Sequence, residues 1–122
     1  MSSIFVGKTG LRHIYRELDY TKLAGKNTQA LSVLLGRIGN AARMNFIDNA
    51  TDADIYLLLV HPQADASVVT NRLHWVEIGK TRVLNYDVGS SPGIHFDPGT
   101  AVYAYITSPN PTVGKLRMSV WG

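Results

Sequence analysis

Four histidines, nine acidic residues and eight serines are the groups in this chain that could bind a metal, move a proton or attack a substrate. Their spacing assembles none of the familiar sites. His13, His61, His74 and His95 never pair as His-x-His or His-Glu-x-x-His, spacings that bring two imidazoles onto one metal. No serine occupies a Gly-x-Ser-x-Gly elbow. Gly7-Lys8-Thr9 repeats only the end of a phosphate loop, without the glycine five residues earlier or the strand before it. Asp48, Asp52 and Asp54 lie close together. A calcium loop counted from Asp48 would need glycine and glutamate where Ala53 and Leu59 stand. The Asn and Asp residues there are better read as turn caps. Asn49-Ala50-Thr51 matches a glycosylation sequon, but no secretory leader is read at Met1–Val6. Cysteine is absent, so there is no thiolate nucleophile, no Cys-ligated zinc and no disulfide. No nucleophile–base pair can be nominated, and the expectation is a non-enzymatic chain with no cofactor and no metal site.

Contact chemistry is more visible. Six of the eleven aromatic residues are tyrosines. Tyr56, Tyr86, Tyr103 and Tyr105 fall in segments with strand character, where outward rings can stack on sugars or bases or fill an interface. Packing within the fold is the commoner use of such rings. Trp121 points outward in the same phasing. Charge is unevenly spread. Residues 1–43 hold seven bases and two acids, a net +5, whereas residues 44–122 hold five bases and seven acids, a net −2. A basic front on a mildly acidic body suggests an arm that meets something negative, either another molecule or a neighbouring copy. Arg12, Tyr15, Arg16, Leu18 and Trp121 are the candidate partner-contact residues.

The elements that would position these groups are short. Leu11, Ile14, Tyr15 and Leu18 recur at i, i+3, i+4 and i+7, the spacing of one face of a short helix. An extended arm is the alternative for the same residues. Beyond Thr28 the pattern is β. Leu31–Leu35 is an apolar run closed by Gly36. Arg43–Ile47 alternates, with Met44 and Phe46 on one face. Ile55–Val60 is apolar throughout, as in a strand covered on both sides, and His61-Pro62 ends it. Leu73–Ile78 and Thr81–Val88 flank Gly79-Lys80 like the arms of a hairpin. Ile94–Phe96, Ala101–Thr107 and Lys115–Trp121 complete the set, with a Pro98-Gly99 turn of type II character between the first two. In the last segment Leu116, Met118 and Val120 face inward and Arg117, Ser119 and Trp121 outward.

About eight short strands without a crossover helix predict an all-β, antiparallel β-sandwich, jelly-roll-like, of 122 residues. The expected division is an N-terminal arm over residues 1–28, helical or extended, and a sandwich domain over 29–122. Charged residues make up only 17% of the chain, too few for a disordered one. No apolar run is long enough to span a membrane as a helix.

Three segments together resemble small structural proteins of tailed bacteriophages. Asn49-Ala50-Thr51-Asp52-Ala53-Asp54-Ile55-Tyr56-Leu57 is similar to a turn that opens a strand in that group. Asp97-Pro98-Gly99-Thr100-Ala101-Val102-Tyr103-Ala104 and Pro111-Thr112-Val113-Gly114-Lys115-Leu116-Arg117-Met118-Ser119-Val120 resemble two later ones in the same order. The resemblance covers residues 45–122. It departs at His61-Pro62-Gln63-Ala64-Asp65, where the group often carries a Gly-Gly hairpin. It implies a virion component, made in the bacterial host cytoplasm. Its role would be capsid decoration (cement) or a small head–tail or tail attachment. Its partners would be other virion proteins, such as capsid or connector and tail proteins, and copies of itself as a homo-oligomer. Neither membrane nor direct nucleic-acid binding is expected. The alternative is a carbohydrate-binding β-sandwich module using exposed Tyr and Trp.

Overall fold

The computed structural model describes residues 13–38, 42–85, 94–107 and 109–121, with the side chains at 13–14, 42–45, 94–95 and 120–121 outside that description. The described chain is an antiparallel sandwich of two sheets. Its strands are β1 (His13–Asp19), β2 (Val33–Arg37), β3 (Ala42–Asn49), β4 (Ile55–Val60), β5 (Leu73–Ile78), β6 (Arg82–Asn85), β7 (Ile94–Phe96), β8 (Ala101–Ile106) and β9 (Lys115–Trp121). One sheet runs β1-β9-β3-β6, with β7 continuing beside β3. The other runs β2-β8-β4-β5. The pairings nest: β4 with β5, β3 with β6 and β7, β2 with β8, β1 with β9. The path is that of one long hairpin rolled so that its two arms alternate between the sheets.

Alternation fills the space between the layers. Val102, Ala104 and Ile106 of β8 meet Leu116 and Met118 of β9, together with Ile47, Ile55, Leu57 and Ile78, in one buried cluster. The inward phase expected for Leu116 and Met118 therefore holds. Ile55–Val60 is covered on both faces, as its apolar run implied: Leu58 and Val60 join Ala101, Tyr103 and Tyr105 in a second cluster on the outer side of the β2-β8-β4-β5 sheet. The loop after β4 folds back over that side, and its Ala64 and Ala66 cover the cluster.

The turn after β3 is the tightest polar junction in the core. Asn49 is fully buried. Its Nδ2 donates to the carbonyls of Ala53 at 2.8 Å and Ile78 at 3.0 Å, with Gly79 O at 3.2 Å. Its Oδ1 accepts from Thr51 N at 3.1 Å and Thr51 Oγ1 at 2.7 Å. One side chain thus satisfies buried backbone groups from two segments, as a buried amide must. Gly114 closes the same corner from β9's side. Its φ is +91°, and a Cβ there would lie 2.0 Å from Ala50 O, so no other residue fits without moving backbone. Gly99 also has φ +91°, and Thr100 N donates to Asp97 O at 3.2 Å, the bond of the expected Pro98-Gly99 turn.

Several expectations are corrected. Of the two forms open for residues 13–19, the extended one is found: β1 pairs with β9 along its length, from His13 opposite Trp121 to Asp19 opposite Lys115. The short helix, α1, is Tyr20–Leu23, capped by Asp19 through Thr21 N. Leu23 is fully buried and Leu18 packs on the main cluster, so β1 and α1 pack with the sandwich. Arg12 and the rest of residues 1–12 lie outside the described residues. The strands flanking Gly79-Lys80 are not a hairpin, because β5 pairs with β4 in one sheet and β6 with β3 in the other. Lys80 N donates to Asp54 Oδ1 at 2.9 Å, and Thr81 takes a φ of 59°, so the segment turns between layers. Residues 86–88, expected to extend β6, lie outside the described residues. The 33–37 strand runs through Gly36 with a register shift there. The register of β3 against β9 shifts between Met44 and Phe46, the two residues expected to share a face, and Ile47 and Asn49 are buried. Ser119, although it faces away from the main core, is buried.

Candidate functional site

The outer face of the β1-β9-β3-β6 sheet carries Tyr15 and a row of charged residues. Register places Glu17, Arg117, Asp48 and Val83 in one row across four strands, with Tyr15, Ser119, Phe46 and Asn85 in the next. Charged groups in and beside these rows pair with one another, while Arg117 Nε is buried without a hydrogen-bond partner among the described residues. Arg117 Nη2 donates to Asp48 Oδ2 at 2.5 Å. Lys115 Nζ donates to Glu17 Oε1 at 3.3 Å, and Tyr15 Oη to Glu17 Oε2 at 2.9 Å. The Tyr15 hydroxyl first, and Lys115 second, hold the Glu17 carboxyl below its ordinary value. The bond from Asp48 keeps the Arg117 guanidinium still more firmly protonated than usual. Such direct cross-strand pairs of opposite charge stabilise a sheet locally, each by a modest amount.

The candidate contact residues separate here. Tyr15 is exposed on the outer face. Arg16 lies on the other side of β1, where its Cγ is 2.8 Å from the position a Cβ on Gly36 would take, so its stem bridges from one sheet to the edge of the other. Its Nη1 donates to Tyr15 O at 2.9 Å. Leu18 is partly buried and packs on the main core cluster. Trp121 is held by backbone pairing between β1 and β3, and its side chain is outside the described residues.

The opposite outer face is aromatic. Tyr56 and Tyr105 stand opposite each other on β4 and β8, with His74 of β5 beside them. His74 Nε2 and Tyr105 Oη share a hydrogen bond of 2.8 Å. Burial, then nearby Tyr56 and Glu77, pushes the Tyr105 phenol above its usual value. His74 meets Tyr56 and Tyr105 edge-on, at 88° and 62°, and the two tyrosine rings are tilted at 44° to each other. The loop over residues 61–72 is fastened by Arg72. Its guanidinium carbon lies 4.4 Å from the Tyr103 ring centre. Nε donates to Ala66 O at 3.0 Å and Nη1 to Ser32 Oγ at 3.0 Å, while Arg72 O accepts from Gln29 Nε2. The aromatic alternation of β4 and β8 was legible in sequence. The roles of Arg72 and His74 were not, because Ser32 and Tyr103, which Arg72 meets, and Tyr105, which His74 meets, come from distant segments.

A cleft of about 260 Å³ opens at the end of the sandwich, lined by Leu59, His61, Leu73, Phe96, Asp97 and Thr100. That is smaller than the roughly 300–1,000 Å³ of a usual ligand site. His61 Nδ1 accepts from Gln63 N at 3.2 Å, which leaves its Nε2 facing Asp97 Oδ2 at 4.0 Å. Among the described residues no three His, Asp or Glu side chains are gathered to hold a metal ion, and no helix is long and apolar enough to cross a membrane.

Comparison with protein-family models, with curated proteins and with solved structures finds no match for the chain.

Proposed function

We propose that this chain is a non-enzymatic structural protein of a bacteriophage virion, a capsid decoration protein or a small head–tail or tail-attachment component that works through subunit contacts. The observation that carries this reading is the contrast between faces and edges. On one sheet the outer charges neutralise one another, and on the other the rings are tied together beneath a strap. β1, by contrast, is a seven-residue edge strand that pairs, among the described residues, only with β9. An extended polar edge suits protein–protein contact better than capture of a small molecule. The nested strand order supports a jelly-roll-like reading, an architecture found in virus shells and in lectins alike, so it favours the class without choosing within it. The three segments that resemble phage proteins fold as the corners at Asn49–Asp54, Asp97–Thr100 and Pro111–Lys115, and they support the reading through shared turn chemistry.

The test is direct. Purified tailed-phage particles from the chain's source should contain it at a fixed copy number per particle, measured by quantitative mass spectrometry, and stripped particles should take the purified chain back. Particles that lack it refute the reading. Binding to a glycan array by the purified chain would favour the carbohydrate module instead.

A further inference from the structure

Among the described residues, no strand pairs with the edge of β1 that faces away from β9. Tyr20 N donates to Gly114 O at 3.0 Å, one step beyond the Asp19–Lys115 pair of the β1–β9 ladder. Antiparallel ladders alternate between pairs that exchange hydrogen bonds and pairs that do not. The even-numbered residues Ile14, Arg16 and Leu18 therefore direct their backbone groups to β9. The odd-numbered residues His13, Tyr15, Glu17 and Asp19 direct theirs away from it. One contact supports this count: the Tyr15 carbonyl is turned outward far enough to accept the Arg16 guanidinium.

The other edges are less suited to pairing. β2 has a register shift against β8, and β5 has one against β4. Among the described residues β6 and β7 have four and three residues. β1 has seven, all in one unbroken register.

We infer that two copies of the chain associate by antiparallel pairing of β1 with β1, about a two-fold axis at Arg16, joining their sheets into one. The register follows from the sequence His13-Ile14-Tyr15-Arg16-Glu17-Leu18-Asp19. A two-fold axis perpendicular to the sheet keeps outer face beside outer face, so odd residues must meet odd residues. Centring on Arg16 then pairs the whole strand. Tyr15 stands opposite Glu17 of the second copy, His13 opposite its Asp19, and Ile14 opposite its Leu18, each twice by symmetry. The Tyr15–Glu17 pairs fall at positions whose backbone groups point to the free edge, so they can exchange main-chain hydrogen bonds. Their side chains already bond within one chain at 2.9 Å, and the second copy presents the same hydroxyl and carboxylate across the seam. Moving the axis to Glu17 would set two carboxylates opposite each other. Moving it to Tyr15 leaves Asp19 without an opposite number in β1.

Arg16 is the element that works against association. It would face its own copy across the axis, and like charges opposite each other are unfavourable. Its guanidinium also occupies the Tyr15 carbonyl and must swing off it before the strands meet. A charged guard of this kind is how sheet edges limit indiscriminate pairing. The expected complex is weak and tunable at this residue.

This inference rests on the reading of the chain as an assembly protein, and the experiment separates the two. Sedimentation equilibrium of the full chain up to millimolar concentration should show a monomer–dimer equilibrium. Arg16→Ala should tighten it about 3- to 10-fold, by relieving the like-charge pair and freeing the Tyr15 carbonyl. Glu17→Pro should abolish the dimer while far-UV circular dichroism stays native, because the lost N–H points to the free edge and not to β9. Glu17→Ala, which keeps that N–H, should still dimerise. The chain has no cysteine. Arg16→Cys should therefore cross-link to itself under mild oxidation, since a non-hydrogen-bonded pair brings Cα atoms to about 4.5 Å, within disulfide reach. Val83→Cys, on the far edge, should not. A chain that stays monomeric in both wild type and Arg16→Ala overturns the pairing, as does a dimer that survives Glu17→Pro. Neither result touches the virion reading, which fails only if particles lack the chain.

Discussion

Replacing the Asn49 side-chain amide with a carboxyl tests the polar corner without changing its shape. In Asn49→Asp, Oδ1 still accepts from Thr51 N and Thr51 Oγ1. The group that donated to Ala53 O, Ile78 O and Gly79 O becomes an acceptor aimed at three carbonyls. Nδ2 has two protons, so two donated bonds are lost. Each contributed about 1 kcal/mol net, and each carbonyl left unpaired in a buried site costs about 1 kcal/mol or more. The expected destabilisation at neutral pH is about 3–5 kcal/mol, a fall in Tm of about 10–20 °C for a domain of this size. Burial and the facing carbonyls raise the pKa of the introduced carboxyl above its unfolded value of about 3.9. The folded state then favours the protonated acid, which can still donate once. The penalty is smallest below that unfolded value, and it grows as pH rises until the folded pKa has been passed. Urea unfolding of both proteins across this range reads the difference. A loss under about 1 kcal/mol at pH 7, or a penalty that shrinks as pH rises, refutes the role assigned to this amide.

Two further outcomes follow from the loops. Arg72→Met keeps an apolar stem over Tyr103 but loses the hydrogen bonds to Ala66 and Ser32. Stability should fall by about 2–4 kcal/mol, with faster proteolytic cutting within residues 61–72, and an unchanged cleavage rate would contradict the strap. Thr112 holds the Asp52 carboxyl below its ordinary value, by its hydroxyl first and its backbone N–H second. That contribution is present above the ordinary carboxyl range and is lost as pH falls through the depressed value, so Asp52→Asn should flatten the acid limb of a Tm-against-pH curve. Parallel curves for the two proteins would show that the contact does not bear on stability.

The strands whose faces are both decided by apolar pattern were legible in sequence. β8 alternates aliphatic and aromatic groups, and both sets are buried, in different clusters. β9 alternates aliphatic and polar groups in a phase that leaves little choice. β1 misled because an arginine occupies its inner face. Arg16 shares that side with Leu18, so the apolar residues of this segment do not alternate and their spacing imitates a helix. The structure shows why Arg16 can sit there: Gly36 leaves room for its stem. The Gly79-Lys80 segment misled for a different reason. A local turn signal does not state which sheet the next strand joins. Here the decision is made by Asn49 and Asp54, whose side chains seize residues 78–80 from elsewhere in the sequence. The outer faces were legible only as residue types. Which charge neutralises which depends on β1, β9 and β3 lying side by side, a fact of topology and not of spacing.

The nested pairing also fixes how the fold would answer to force. His13 and Trp121 are register partners at one end of the β1–β9 seam. Tension applied between these two residues pulls at right angles to the strands, so it loads one rung of the ladder at a time. The seam would therefore peel open like a zip at low load, whereas tension between Asp19 and Trp121 would have to shear all its rungs together.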